Sequence, residues 1–96
     1  MSYETVIVTR HLGTVEWLHR QGVSGRVISR ATPEDVDGNI VVGNPPLHLA
    51  YLAKKVGIVD LPDLPGRLRG RELSANQMET YGAKVTWYTI TREAQP

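Results

Sequence analysis

"TVIVTRHLG", residues 5–13, decides how this chain is read. Thr5 to Thr9 is β-branched at every position, the composition of a strand buried on both faces. The run stops on a cation and an imidazole, Arg10 and His11. A helical pattern then opens at Gly13 and extends to Gln21, with Val15, Trp17 and Leu18 on its inner side. Thr14 is expected to cap that helix, and Gly22 to end it in a left-handed conformation.

The same alternation repeats outward from this stretch. Residues 26–29 form a second strand around Val27 and Ile28. "ATPEDVDG" (31–38) is polar and turn-rich, and Pro33, Glu34 and Asp35 fit one short helical turn. "NIVVG" (39–43) is a third buried strand, introduced by the Asp37-Gly38 turn. Asn44-Pro45-Pro46 reads as a helix start, with the Asn44 side chain as the cap. Leu49, Leu52, Ala53 and Val56 follow at helical spacing, Gly57 ends the stripe, and residues 58–61 form a short fourth strand.

Residues 62–72, "PDLPGRLRGRE", form an irregular loop with three arginines. Ser74-x-x-Gln77 is a capping box, Leu73 packs on Met78 as a hydrophobic staple, and the helix ends at Gly82. "AKVTWYTITR" (83–92) is a final strand suited to a sheet edge or a subunit interface. The last few residues are expected to fray. The order predicts one α/β domain over residues 1–96. Its sheet is mostly parallel, with about five strands and helices on both faces.

Bulk properties limit the function classes. The chain has 96 residues, 41% hydrophobic and 22% charged, with a formal net charge of +1. That balance is globular, and it argues against general attraction to duplex nucleic acid. There is no cysteine, so no disulfide, thiolate metal site or cysteine nucleophile is available. No signal peptide or membrane span is visible, and a cytoplasmic location is expected. The phosphate-loop, dinucleotide and nucleophile-elbow motifs are absent. His11, His19 and His48 lack metal-ligand spacing, so neither a metal nor another cofactor is expected.

What remains is a cluster at strand ends. In a doubly wound sheet, ligands sit beyond the carboxyl ends of the strands where the strand order reverses. Arg10 and His11 follow the first strand and Asn44 follows the third, so all three can line one crevice. Arg10 is suited to fork onto a phosphate, and His11 to move a proton near neutral pH. The plainer alternative is a solvated Arg10 and a His11 packed on Trp17 or bonded to backbone. "GNPPLHLA" (43–50) invites an anion at a helix start, but Pro45 and Pro46 remove two backbone donors. The Leu47 and His48 amides and the Asn44 side chain remain, which suits a base or ribose edge equally. "RLRGRE" (67–72) is a basic flap or a solvated loop, and Arg71 and Glu72 can pair with each other.

Three stretches together carry a resemblance: "VTRHLGTVEWLHRQG" (8–22), "VVGNPPLHLAYLAKKVG" (41–57) and "LRGRELSANQMETYGA" (68–83). The chain resembles the small CRISPR-associated family found beside type III systems and founded on a Vibrio protein. The resemblance implies a compact Rossmann-like homodimer related to the CRISPR-associated Rossmann folds. It also implies a ligand, cyclic tetra-adenylate, and a ring nuclease activity that ends the antiviral response. The chemistry of the residues then suggests roles within that reading. Arg10 and Arg71, or Arg69, hold the phosphate, and His11 is the acid or base. Asn44 orients ribose or adenine, and Thr9, Gly13, Gly43, Leu47, His48 and Glu72 complete the ligand side. A binding protein that sequesters the messenger, or an accessory subunit of a CRISPR complex, remains open.

Overall fold

The computed structural model describes residues 3–94, so the expected fraying of the last residues lies partly outside it. The elements are β1 (Thr5–Val8), α1 (Leu12–Arg20), β2 (Arg26–Ile28), α2 (Pro33–Val36) and β3 (Ile40–Gly43). They continue with α3 (Leu47–Ala50), β4 (Lys55–Asp60), a single 3-10 turn (Gly66–Leu68), α4 (Ala75–Thr80) and β5 (Lys84–Tyr88). One five-stranded sheet has the order β2-β1-β3-β4-β5. The first four strands are parallel and β5 runs antiparallel to β4. This is a mostly parallel, Rossmann-like α/β sheet, as the alternation predicts.

Successive strand residues face opposite sides of a sheet, and that period sorts two cores. Val6, Val8 and Val41 pack with Ala31, Val36 and Leu49 on the side carrying α2 and α3. Ile7 and Val42 pack with Trp17, Leu18, Ala75 and Met78 on the side carrying α1 and α4. Helices therefore cover both faces. The α1–α4 contact is fastened by Glu79, which accepts from the Trp17 indole at 2.7 Å and from the Gln21 amide at 2.9 Å. The Trp17 ring is thus buried with its one polar atom satisfied.

Three local expectations are corrected. α1 begins at Leu12 with His11 in the cap position, and Thr14 lies inside the first turn, its N–H donating to the His11 carbonyl at 3.1 Å. α3 is one turn, not a helix reaching Val56, and no side chain caps it. Asn44 and Pro45 each precede a proline, which pushes both out of helical conformation, so the helix starts only after Pro46. The Asn44 N–H is held instead by the Val8 carbonyl at 2.9 Å, so Asn44 prolongs the sheet end. Val56 and Gly57 belong to β4, where they pair with Val41 and Val42 of β3 and with Tyr88 and Trp87 of β5. Pairing on both sides outweighs the helical spacing of Val56.

Helix caps and stops follow the local sequence. Ser74 and Gln77 form a reciprocal capping box at α4, and Thr32 and Asp35 form a second at α2. Gly22 and Gly82, just beyond α1 and α4, have φ of +82° and +73°. β5 is an edge strand of five residues, shorter than the stretch 83–92. At the opposite, amino ends of β1 and β2, Arg26 bridges Glu4 at 2.7 Å and Asp35 at 3.0 Å. Hydrogen bonds to those two carboxylates push the Arg26 guanidinium further up. The Asp35 carboxyl is held below its ordinary range, first by the Thr32 backbone N–H and then by Arg26.

Candidate functional site

The chain leaves β1 toward α1 on one face and leaves β3 toward α3 on the other. β1 and β3 are neighbours in the sheet, so the switch point of the topology falls between their carboxyl ends. The residues immediately after these strands open onto a cleft there. Two cavities meet at this place, and His11 and Asn44 line both.

The first lobe, about 320 Å³, carries most of the polar groups: Thr9, Arg10, His11, Ser29, Arg30 and Asn44 line it, together with the apolar Val8, Ala31 and Pro46. No carboxylate stands among the described residues lining it. Arg10 and Arg30 form no ion pair among the described residues, so two arginines without a carboxylate partner line this space beside His11. Such a lining attracts anions and offers forked donors for phosphate oxygens. Local hydrogen bonds fix its floor. Thr9 is buried, donates its N–H to Ile28 at 3.0 Å, and accepts the His11 N–H on its hydroxyl at 3.1 Å. A hydroxyl bonding two residues ahead sets the turn that presents His11.

The second lobe, about 220 Å³, is apolar: Val59, Leu61, Leu64, Leu68, Leu73 and Met78 line it, with Arg71 and His11 among its polar members. The two lobes are therefore chemically distinct, one cationic and one greasy. A ligand with an anionic linkage and a flat base meets both requirements in one cleft.

His11 Nδ1 meets the Glu72 carboxylate, although 61 residues separate them in the chain. The His11 side chain therefore takes neither plainer alternative, packing on Trp17 or bonding to backbone, and Glu72 pairs with it and not with Arg71. A backbone contact supports the pair. A Cβ on Gly13 would stand 1.8 Å from the Leu73 carbonyl oxygen, so only glycine lets the segment before α4 approach the start of α1 so closely. Gly13 thus faces Leu73, not open space.

Of the residues singled out in the sequence, Thr9, Arg10, His11 and Asn44 meet in the polar lobe, and Gly43 and Arg71 line the apolar one. Glu72 joins through His11. Leu47, 80% exposed, and the exposed His48 stand on α3 outside both linings, and Arg69, just after the 3-10 turn, lies outside them too. α3 is one turn long, so little dipole gathers at its start. Ser29 and Arg30 were missed, although the strand-end rule that selects Arg10 also selects the residues after β2. Leu64 and Leu68 of the second lobe carry no periodic signal, because they lie in a loop of prolines and glycines. Among the described residues, no three His, Asp or Glu side chains are grouped as metal ligands.

A mostly parallel sheet with helices on both faces and a cleft at its switch point places the chain in the Rossmann-like α/β class. Within it, the model of the family described as "Putative CRISPR-associated protein (Cas_VVA1548)" matches residues 6–91, and the chain belongs to that family. No curated protein and no solved structure matches the chain. No helix among the described residues is long and apolar enough to cross a membrane.

Proposed function

We propose that the protein is a type III CRISPR-associated ring nuclease of the cytoplasm, binding cyclic tetra-adenylate and cutting it without metal into linear di-adenylate. The observation that carries this reading is the meeting of Arg10, His11 and Asn44 at one cleft, at the switch point of a CRISPR-associated chain.

The chemistry needs little more than what lines the cleft. A ribose 2′-oxygen attacks the adjacent phosphorus, the P–O5′ bond breaks, and a 2′,3′-cyclic phosphate forms. The 2′-hydroxyl proton passes to a base and the departing 5′-oxygen takes one from an acid. No water is consumed. Two such cuts on opposite sides of the ring release two di-adenylates. Arg10 on one side of His11 and Arg71 on the other neutralise charge that develops on the phosphate, and that stabilisation is the larger share of such catalysis. His11 moves the proton, Asn44 orients the ribose or base, and the apolar lobe takes an adenine face.

One cleft, with lobes of about 320 and 220 Å³, is small beside a ring of four nucleotides. A two-fold homodimer presents two copies of the cleft to opposite phosphates, and a net charge of +1 per chain then suffices because the cations are local.

Incubating the protein with end-resolved, labelled cyclic tetra-adenylate in EDTA tests the reading. Conversion to di-adenylate with cyclic phosphate ends is the expected result. A stable complex with no product makes the protein a sequestering binder. No complex at all leaves an accessory subunit that touches no nucleotide.

A further inference from the structure

Glu72 has no role in the chemistry just described, yet it meets the one histidine in the cleft. We propose that Glu72 is the positioning residue of His11, an inference that rests on the reading of the cleft as a ring nuclease site. An ionised carboxylate only accepts hydrogen bonds, so the ring nitrogen facing it must carry the proton. Nδ1 is that nitrogen. The neutral ring is thereby committed to the Nδ1–H tautomer, with Nε2 bare. Nε2 is then the atom that takes the 2′-hydroxyl proton and, as N–H, returns one to the leaving 5′-oxygen. The imidazolium formed between these steps shares its cleft with Arg10, Arg30 and Arg71, and Glu72 is the carboxylate in contact with it.

Two further features fix the pair from the backbone. His11 is tied by its N–H to the Thr9 hydroxyl. Glu72 is tied by its neighbours: the Leu73 carbonyl lies against Gly13, and Ser74 begins the α4 capping box. The side chains themselves are 51% and 67% exposed. An exposed pair of this kind contributes little to stability, so orientation is what it supplies.

The test uses two readouts on the full chain. Ring ¹⁵N shifts of His11 in the ligand-free protein report the tautomer, with the signal assigned by its loss in His11→Ala among the three histidines. The wild type is expected in the Nδ1–H form and Glu72→Ala in a mixture or the Nε2–H form. In Glu72→Gln the amide oxygen still accepts, and the Nδ1–H form is kept. Single-turnover cleavage of cyclic tetra-adenylate is expected to slow about tenfold or more in Glu72→Ala, with binding no weaker than in the wild type because a carboxylate is removed beside an anionic ligand. Glu72→Gln should fall between Glu72→Ala and wild type. Thermal unfolding of both variants should match wild type. A tautomer indifferent to Glu72→Ala, or cleavage at the wild-type rate in that variant, overturns the proposal and leaves the nuclease reading standing. A tautomer change in a protein that cuts no ring supports the coupling and removes the nuclease reading instead.

Discussion

Gly43 lies so close to Val8 that a Cβ atom there would stand 2.3 Å from the Val8 carbonyl oxygen. Its φ of +115° is also one that side chains rarely adopt. Both constraints act where β3 hands Asn44 to the cleft, because that same Val8 carbonyl accepts the Asn44 N–H. Gly43→Ala is expected to destabilise the protein by about 1–3 kcal/mol through backbone strain alone, and by more through the overlap. Denaturant unfolding checks this, and an unfolding midpoint equal to wild type would contradict it.

The strand-end geometry was legible for a physical reason. β-branched runs such as Thr5–Thr9 and 40–42 have few alternatives to a buried strand, and the switch-point rule then brings Arg10, His11 and Asn44 together. Length was less legible than position. Leu49, Leu52, Ala53 and Val56 fit a helix, but they equally fit one turn, a bend and a strand. Hydrogen bonding of β4 between two neighbours decides the matter, and no local pattern records it. The His11–Glu72 contact was hidden for a related reason. It depends on Gly13 admitting the Leu73 carbonyl, a backbone approach across 60 residues of chain.

Arg10 is exposed and forms no ion pair among the described residues, so its removal should leave folding intact. Arg10→Ala is expected to change stability by less than about 0.5 kcal/mol. It should weaken binding of cyclic tetra-adenylate by about 1.5–3 kcal/mol, the worth of a charge-assisted contact. Calorimetry or a fluorescence titration reads the loss. Wild-type affinity in this variant would remove Arg10 from the site.

Asp35 links stability to acid. Its folded-state carboxyl titrates below its ordinary range because the Thr32 N–H and the Arg26 guanidinium favour the charged form. A lowered folded value contributes stability that is present above the unfolded value and is lost as pH falls through the folded one. Asp35→Asn should therefore unfold at a lower temperature than wild type at neutral pH. The gap should close as pH drops below about 4. Thermal melts across that range check it, and a gap that stays constant to the acid end would contradict the sign.

The most direct test of the central claim compares wild type with His11→Ala in single-turnover cleavage of labelled cyclic tetra-adenylate, with EDTA present and the dissociation constant measured alongside. The cleft described here predicts conversion by wild type, and a loss of roughly 10²–10⁴-fold in rate for His11→Ala with little change in affinity. Equal rates in the two proteins would contradict it.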